Sequence, residues 1–272
     1  MIYHQIRNAT CVLEWNGRRV LVDPMLGESG TLPPYAILRS KARRNPLTPL
    51  PENVETTLRD IDACLISHVH FGVDCDHLDS PGAAWLREHQ PAIYARAGDE
   101  RALRKRDLQG TSVPPGESRP FLAEPNADTT ANATITAVPA AHGRGLVGKI
   151  MGPGVGYILN APDEPAVYLT GDTVYTSAVD QALDTHRPKV IIAPGGGARL
   201  DLGGPVLLSI DELARLLDRA AALQAVVLIN HLEALNHCPT THDDLATRFR
   251  DALQAGRLYL PRDGQAVEVT SM

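Results

Sequence analysis

Ala63-Cys-Leu-Ile66 runs directly into Ser67-His68-Val69-His70-Phe71-Gly72-Val73-Asp74-Cys75-Asp76-His77-Leu78-Asp79. A short apolar run bounded by polar residues reads as a buried strand, and the loop that follows is dense in side chains that bind metals. His68 and His70 stand two apart at the end of an extended segment, so both can project from one face and chelate one cation. Asp76 and His77 add a carboxylate and a third imidazole. Asp79-Ser80-Pro81 then supplies a helix cap and a first-turn proline, and Ala83-Ala-Trp-Leu-Arg-Glu88 continues as helix. An H-x-H pair alone is weak evidence. Three histidines and several aspartates packed between a strand and a helix exceed ordinary surface composition.

Working outward, three more apolar runs deliver a residue of the same kind. Ala137-Val-Pro-Ala-Ala-His142 presents His142, Ala166-Val-Tyr-Leu-Thr-Gly171-Asp172 presents Asp172, and Val226-Val-Leu-Ile-Asn230-His231 presents His231. Each alone suits a hydrogen-bonded structural residue; jointly they point to ligands gathered from distant segments. Further strands are expected at residues 92–95, 134–138, 156–160, 166–170, 190–193, 225–229 and 258–260, and helices at 177–185, 210–222 and 241–253. Asn16-Gly17 between two apolar runs is a strong hairpin signal, and Asp163-Glu164-Pro165 marks a second hairpin turn. Prolines at 24, 33, 34, 46, 49 and 51 make residues 27–58 a long irregular excursion, the kind that is functional or mobile in a compact domain. Strand runs in both halves with helices at intervals predict an α+β fold, two sheets covered by helices, rather than an uninterrupted βαβ series. A chain of 272 residues is compatible with a single domain over 1–272.

Composition narrows the function. With 43% hydrophobic and 21% charged residues the chain is an ordinary globular protein. A net charge of −6 leaves no surplus to neutralise a phosphate backbone, so no nucleic-acid partner is expected and a small-molecule substrate is favoured. The densest basic stretch, Arg39-Ser-Lys41-Ala-Arg43-Arg44, is either a solvated loop or one that faces substrate. No secretion signal or membrane-length apolar run is visible, and Cys11, Cys64, Cys75 and Cys238 lack paired spacing; a cytoplasmic protein with reduced thiols and no membrane partner is expected. A homo-oligomer stays open.

The series H-x-H, D-H, a lone His, G-D-T and a final His resembles the metallo-β-lactamase superfamily, in order and over nearly the whole chain. The stretches Asn230-His231-Leu-Glu233-Ala-Leu-Asn236-His237-Cys238 and Arg44-Asn45-Pro46-Leu47 look most like its L-ascorbate-6-phosphate lactonase branch. The resemblance implies a four-layer αββα sandwich, two mixed sheets flanked by helices. It implies a first metal on His68, His70 and His142, a second on Asp76, His77 and His231, and Asp172 bridging both. One or two zinc or manganese ions (Zn2+ or Mn2+) would then activate water for hydrolysis of a lactone or a phosphorylated small molecule. Asp76 would orient the water and pass its proton to the leaving group.

One departure stands out: five residues, Phe71 to Cys75, separate His70 from Asp76 where the family usually has one. An outward bulge that leaves Asp76 and His77 in place is the favoured reading; entry of Asp74 or Cys75 into the metal shell is the other. Asp79 either holds a ligand imidazole or only caps its helix. Glu233, Asn236 and His237 either line the substrate pocket or brace their loop. Pro194-Gly-Gly-Gly197-Ala-Arg199 lacks the lysine of a phosphate-binding loop and reads as a flexible border, with Arg199 a candidate anion contact. A phosphodiesterase would use the same metal pair. A redox iron enzyme, set against the imidazole-rich ligand set, and a non-catalytic metal-binding protein, motivated by the enlarged loop, complete the alternatives.

Overall fold

The computed structural model describes residues 1–69, 73–122 and 133–269. The first sheet takes β1 (Ile2–Arg7), β2 (Thr10–Trp15), β3 (Arg18–Val22), β4 (Ala63–Ile66), β5 (Ala92–Arg96) and β6 (Thr111–Val113). The second takes β7 (Ser118–Pro120), β8 (Thr134–Ala141), β9 (Pro153–Asn160), β10 (Val167–Leu169), β11 (Val190–Pro194), β12 (Val226–Asn230) and β13 (Leu258–Tyr259). The chain then returns to the first sheet, where β14 (Ala266–Glu268) pairs with β1, so the spatial orders are β14-β1-β2-β3-β4-β5-β6 and β13-β12-β11-β10-β9-β8-β7. Both sheets are mixed: β1 to β3 are antiparallel and β3 to β6 parallel, while β7 to β10 are antiparallel and β10 to β13 parallel.

Alternation along each strand builds the layers. Cys11, Leu13 and Trp15 of β2, Ala63 and Leu65 of β4, Val167 and Leu169 of β10, and Val226 and Leu228 of β12 share the core between the sheets. Their neighbours Val12, Cys64 and Ile66 face the other way, toward a layer containing α1 (Val54–Thr57), α2 (Ser80–His89) and α3 (Glu100–Arg104). On the far side, Tyr168, Val227 and Ile229 pack with α5 (Ser177–His186), α6 (Ile210–Ala222), α7 (His242–Arg248) and α8 (Arg250–Gln254); α4 (Gly145–Met151) lies between β8 and β9 in sequence. Strands covered on both faces need apolar residues on both, which is why these segments read as continuous apolar runs. The outcome is the expected αββα sandwich. No described helix is long and apolar enough to cross a membrane.

Several elements differ from expectation. The helix expected over residues 241–253 is two helices, interrupted at Phe249 (φ −119°, ψ 32°), whose buried ring turns into the helix-side core. Strand β8 runs past Pro139 to Ala141, because β7 pairs only with residues 134–136 and leaves the later positions an open edge, where a missing N–H costs nothing. The Asn16-Gly17 turn has positive φ at both residues, 51° and 66°, the requirement of the tight hairpin joining β2 to β3.

Candidate metal centre

Every candidate ligand among the described residues follows the C-terminal end of a strand. Strands β3 to β6 are parallel, and so are β8, β10, β11 and β12, which brings these ends to one edge of the sandwich. His68 leaves β4, His142 leaves β8, Asp172 follows β10 and His231 follows β12. Asp76 and His77 come from the loop between β4 and α2. His70 lies outside the described residues, as do Phe71 and Gly72.

The side chains converge on Asp172. Its Oδ2 is 3.1 Å from His77 Nε2, 3.5 Å from His142 Nε2 and 3.5 Å from His231 Nε2. Asp76 Oδ2 lies 3.2 Å from His231 Nε2 and 3.6 Å from His77 Nε2. The potential donor atoms of Asp76, His77, Asp172 and His231 all fall within 4.8 Å of one another, and so do those of His68, His142 and Asp172. Two candidate ligand sets that share one carboxylate are therefore assembled from residues that are all buried.

The electrostatics fit a cation. Burial opposes charge on each group, yet the surrounding carboxylates hold His77 and His231 well above the usual histidine range. Those imidazoles in turn hold Asp76 and Asp172 well below the usual carboxylate range. Two carboxylates this close are costly inside a protein unless positive charge sits between them, and protons on the histidines supply it when no metal is bound. A dication offers the same neutralisation and would release those protons. His231 Nε2 is buried 3.2 Å from Asp76 Oδ2 and 3.5 Å from Asp172 Oδ2 but makes no hydrogen bond of acceptable geometry among the described residues, which suits a nitrogen that could ligate an ion.

The backbone is bent to make this arrangement. Gly171 has φ +62°, and a Cβ there would stand 2.3 Å from the Val155 carbonyl oxygen, so only glycine lets the chain turn Asp172 inward. His231 itself sits at φ +57°, an uncommon state for a residue with a side chain, with its N–H donating to the Asn8 carbonyl at 3.0 Å.

Asp23, which sequence reasoning missed, holds the cluster from behind. Its Oδ2 is 2.8 Å from His77 Nδ1 and accepts from Ser67 Oγ at 2.8 Å, while Oδ1 accepts the Ser67 N–H at 2.8 Å. Ser67 Oγ also lies 3.2 Å from His68 Nδ1. An aspartate ending an apolar strand, as in Leu21-Val22-Asp23, was the available signal; its meaning depends on the parallel pairing of β3 with β4. Cys238 Sγ approaches His231 Nδ1 at 3.6 Å; burial raises the thiol pKa, but the charges of His237 and His231 outweigh this and bring it to about 7.

The secondary candidates sort by contact. Asp74 is turned outward to Ser80 Oγ and Arg106, away from the cluster, while Cys75 is buried with its N–H on the Leu78 carbonyl. Asp79 accepts from Gly82, Leu26 and Gly27 N–H groups, so it caps α2 and ties down the loop after β3 rather than orienting an imidazole. Glu233 pairs with His242, and His237 meets Tyr35 edge-on. Asn236 accepts from the Tyr35 N–H and the Asn45 amide on its Oδ1, donates its amide N–H to the Ala36 carbonyl, and donates its backbone N–H to Asn45 Oδ1. It pins the proline-rich excursion to the His231 loop. Residues 195–197 form a tight-packed turn, not a loose border: a Cβ at Gly196 would meet the His231 carbonyl oxygen at 2.3 Å. Arg199 is exposed.

With this geometry in hand, a family model described as a beta-lactamase superfamily domain matches residues 18–231. The UPF0173 protein YddR of Bacillus subtilis (strain 168) is 28% identical over 268 residues, covering 96% of this chain and 97% of that protein. Among solved structures, a possible metal-dependent hydrolase from Veillonella parvula DSM 2008 superposes with a TM-score of 0.85 at 24% identity, over 99% of both chains. An isothiocyanate hydrolase from Delia radicum gut bacteria superposes with a TM-score of 0.82 at 26% identity, also over 99% of both chains.

Proposed function

We propose that the chain, which belongs to the beta-lactamase superfamily, hydrolyses a small molecule at a centre where His68, His70 and His142 hold one divalent ion and Asp76, His77 and His231 a second. Asp172 lies between the two sets. The observation that carries the reading is the position of Asp172 Oδ2, within 3.1 to 3.5 Å of three imidazoles drawn from separate segments. Zinc or manganese suits so imidazole-rich a set, and when bound supplies a lowered water pKa and polarisation of the substrate oxygen.

The chain's own groups do the rest. Asp23 accepts the Nδ1 proton of His77, which turns the Nε2 lone pair toward the centre and fixes the ring. Ser67 bridges that carboxylate to His68. Asp76, buried beside His231 and His77, orients the attacking water and carries its proton toward the leaving group. We read the substrate as a lactone or a phosphorylated small molecule, in line with the lactonase-like stretches around Asn45 and His231, and the catalytic domain as the whole of 1–272. The buried free thiols of Cys11, Cys64 and Cys238 support a reducing, cytoplasmic setting.

A second reading comes from the isothiocyanate hydrolase likeness: water added to an electrophilic carbon would need the same centre. The test is a panel of lactones, phosphodiesters and aryl isothiocyanates assayed with zinc, with manganese and after chelation. Turnover of one class that disappears on chelation and returns with metal supports the proposal. Absence of metal uptake overturns it.

A further inference from the structure

A cavity of about 410 Å³ opens beside His68. Its wall includes Met151, Arg96 and Asp99, and then Arg101 and Lys105 from α3 and the residue that ends it. Three cations and one carboxylate give this wall a charge of about +2, in a chain whose net charge is −6.

The cations are not equivalent. Arg96 is engaged: its guanidinium grips both oxygens of the buried Asp99, and that carboxylate also takes the Val69 N–H at 3.3 Å, next to His68. Arg101 and Lys105 stand four residues apart, one helical turn, and so share a face. Neither side chain makes a hydrogen bond or ion pair with any described residue, although the Lys105 backbone N–H donates to the Arg101 carbonyl at 3.2 Å. Glu100, on the same helix, is turned to Ser112 Oγ and the Gly98 N–H instead. Exposed basic residues on a convex surface would simply be solvated. These two line a concavity whose other wall carries a residue of the metal centre, and its volume is that of a site for a small organic molecule rather than a polymer.

We propose that this cavity seats an anionic substituent of the substrate, a phosphate or carboxylate on a small organic molecule, with Arg101 and Lys105 as its counter-charges. The proposal rests on the hydrolase reading, since His68 links the cavity to the reacting bond. Met151 on the same wall offers apolar contact to the carbon skeleton. Phosphate and carboxylate share the chemistry of an oxyanion that two neighbouring cations can clasp.

The test uses the full chain after chelation and dialysis, so that no bound metal competes for the anion. Phenyl phosphate and benzoate, which share a ring and differ in the oxyanion, are titrated calorimetrically into the unsubstituted protein, into Arg101→Ala/Lys105→Ala and into Arg250→Ala, whose side chain lies elsewhere on the surface. Binding of either anion that weakens about tenfold or more in the double variant and not in Arg250→Ala upholds the subsite. The tighter of the two anions names the substituent. Equal binding by the double variant, or no binding of either anion by the unsubstituted protein, overturns it. Zinc stoichiometry measured on the same samples judges the metal centre separately, because neither substitution touches its residues.

Discussion

Replacing Asp23 by Asn tests how far the centre depends on support from behind. The substitution keeps the size of the side chain but removes a charge and converts one acceptor oxygen into a donor. Asp23 Oδ2 now faces two potential donors at 2.8 Å, Ser67 Oγ and His77 Nδ1, while Oδ1 faces the Ser67 N–H. An amide cannot serve both sides, because whichever way it turns its NH2 meets a group that needs an acceptor. If the amide oxygen stays with the Ser67 N–H, His77 loses its Nδ1 partner and is free to carry its proton on Nε2, pointing it into the centre. The expected cost is about 10- to 100-fold in affinity for the metal on His77, or about 1.4 to 2.7 kcal/mol. Competition against a chromophoric chelator, titrated with zinc, resolves this as selective weakening of one ion while the other, held through His68 and His142, changes little. Unaltered affinity for both ions would refute the role assigned to Asp23.

Asp76→Ala is expected to lower metal stoichiometry and remove activity while Asp74→Ala leaves both near the parent's, since only Asp76 faces the imidazoles; elemental analysis and the panel assay read this directly, and the reverse ranking would place Asp74 in the centre. Gly171→Ala forces a Cβ against the Val155 carbonyl at positive φ and is expected to destabilise the fold by about 1–3 kcal/mol or more, seen as a lower Tm. Burial raises the Glu212 pKa, but the Ser209 N–H and Arg144 outweigh it and leave the folded-state value below the ordinary 4.5. Its contribution to stability is thus present above 4.5 and is lost as pH falls through the lower folded value, so Glu212→Gln should flatten the acid limb of a Tm-versus-pH curve. An unchanged acid limb would show that the α6 cap carries no linkage.

The buried strands were legible because a strand covered on both faces must be apolar throughout, and the polar residue that ends it, His142, Asp172 or His231, stands out. Strands β6, β7 and β14 were not, because three residues at a sheet edge carry no readable period. Helix α4 was missed for a similar reason: Gly145 and Gly148 weaken its helical signal and Arg144 offers no side-chain cap. The support around the centre was the least visible part. Asp23 means little until β3 is laid beside β4, and Asn236 until residues almost two hundred positions apart are brought together. Pairing across the fold, not local pattern, gives those residues their roles.

The clasp between Asn45 and Asn236 divides the labour of the proline-rich excursion. Asn45 Oδ1 accepts the backbone N–H of Asn236 and the Asn45 amide N–H donates to Asn236 Oδ1, so neither can be exchanged alone without stranding a buried polar group. Farther along, Asp201 gathers the N–H groups of Ile37, Leu38 and Arg39 and fixes a second point. Between these anchors Lys41 to Arg44 are exposed, and Asn236 Nδ2 reaches the Lys41 carbonyl at 3.3 Å, so the stretch is held through its backbone like a bridge deck on its piers. Its composition can therefore be rewritten with the piers left standing, and a chimera carrying a foreign sequence at positions 40–43 should keep the same metal content as the parent.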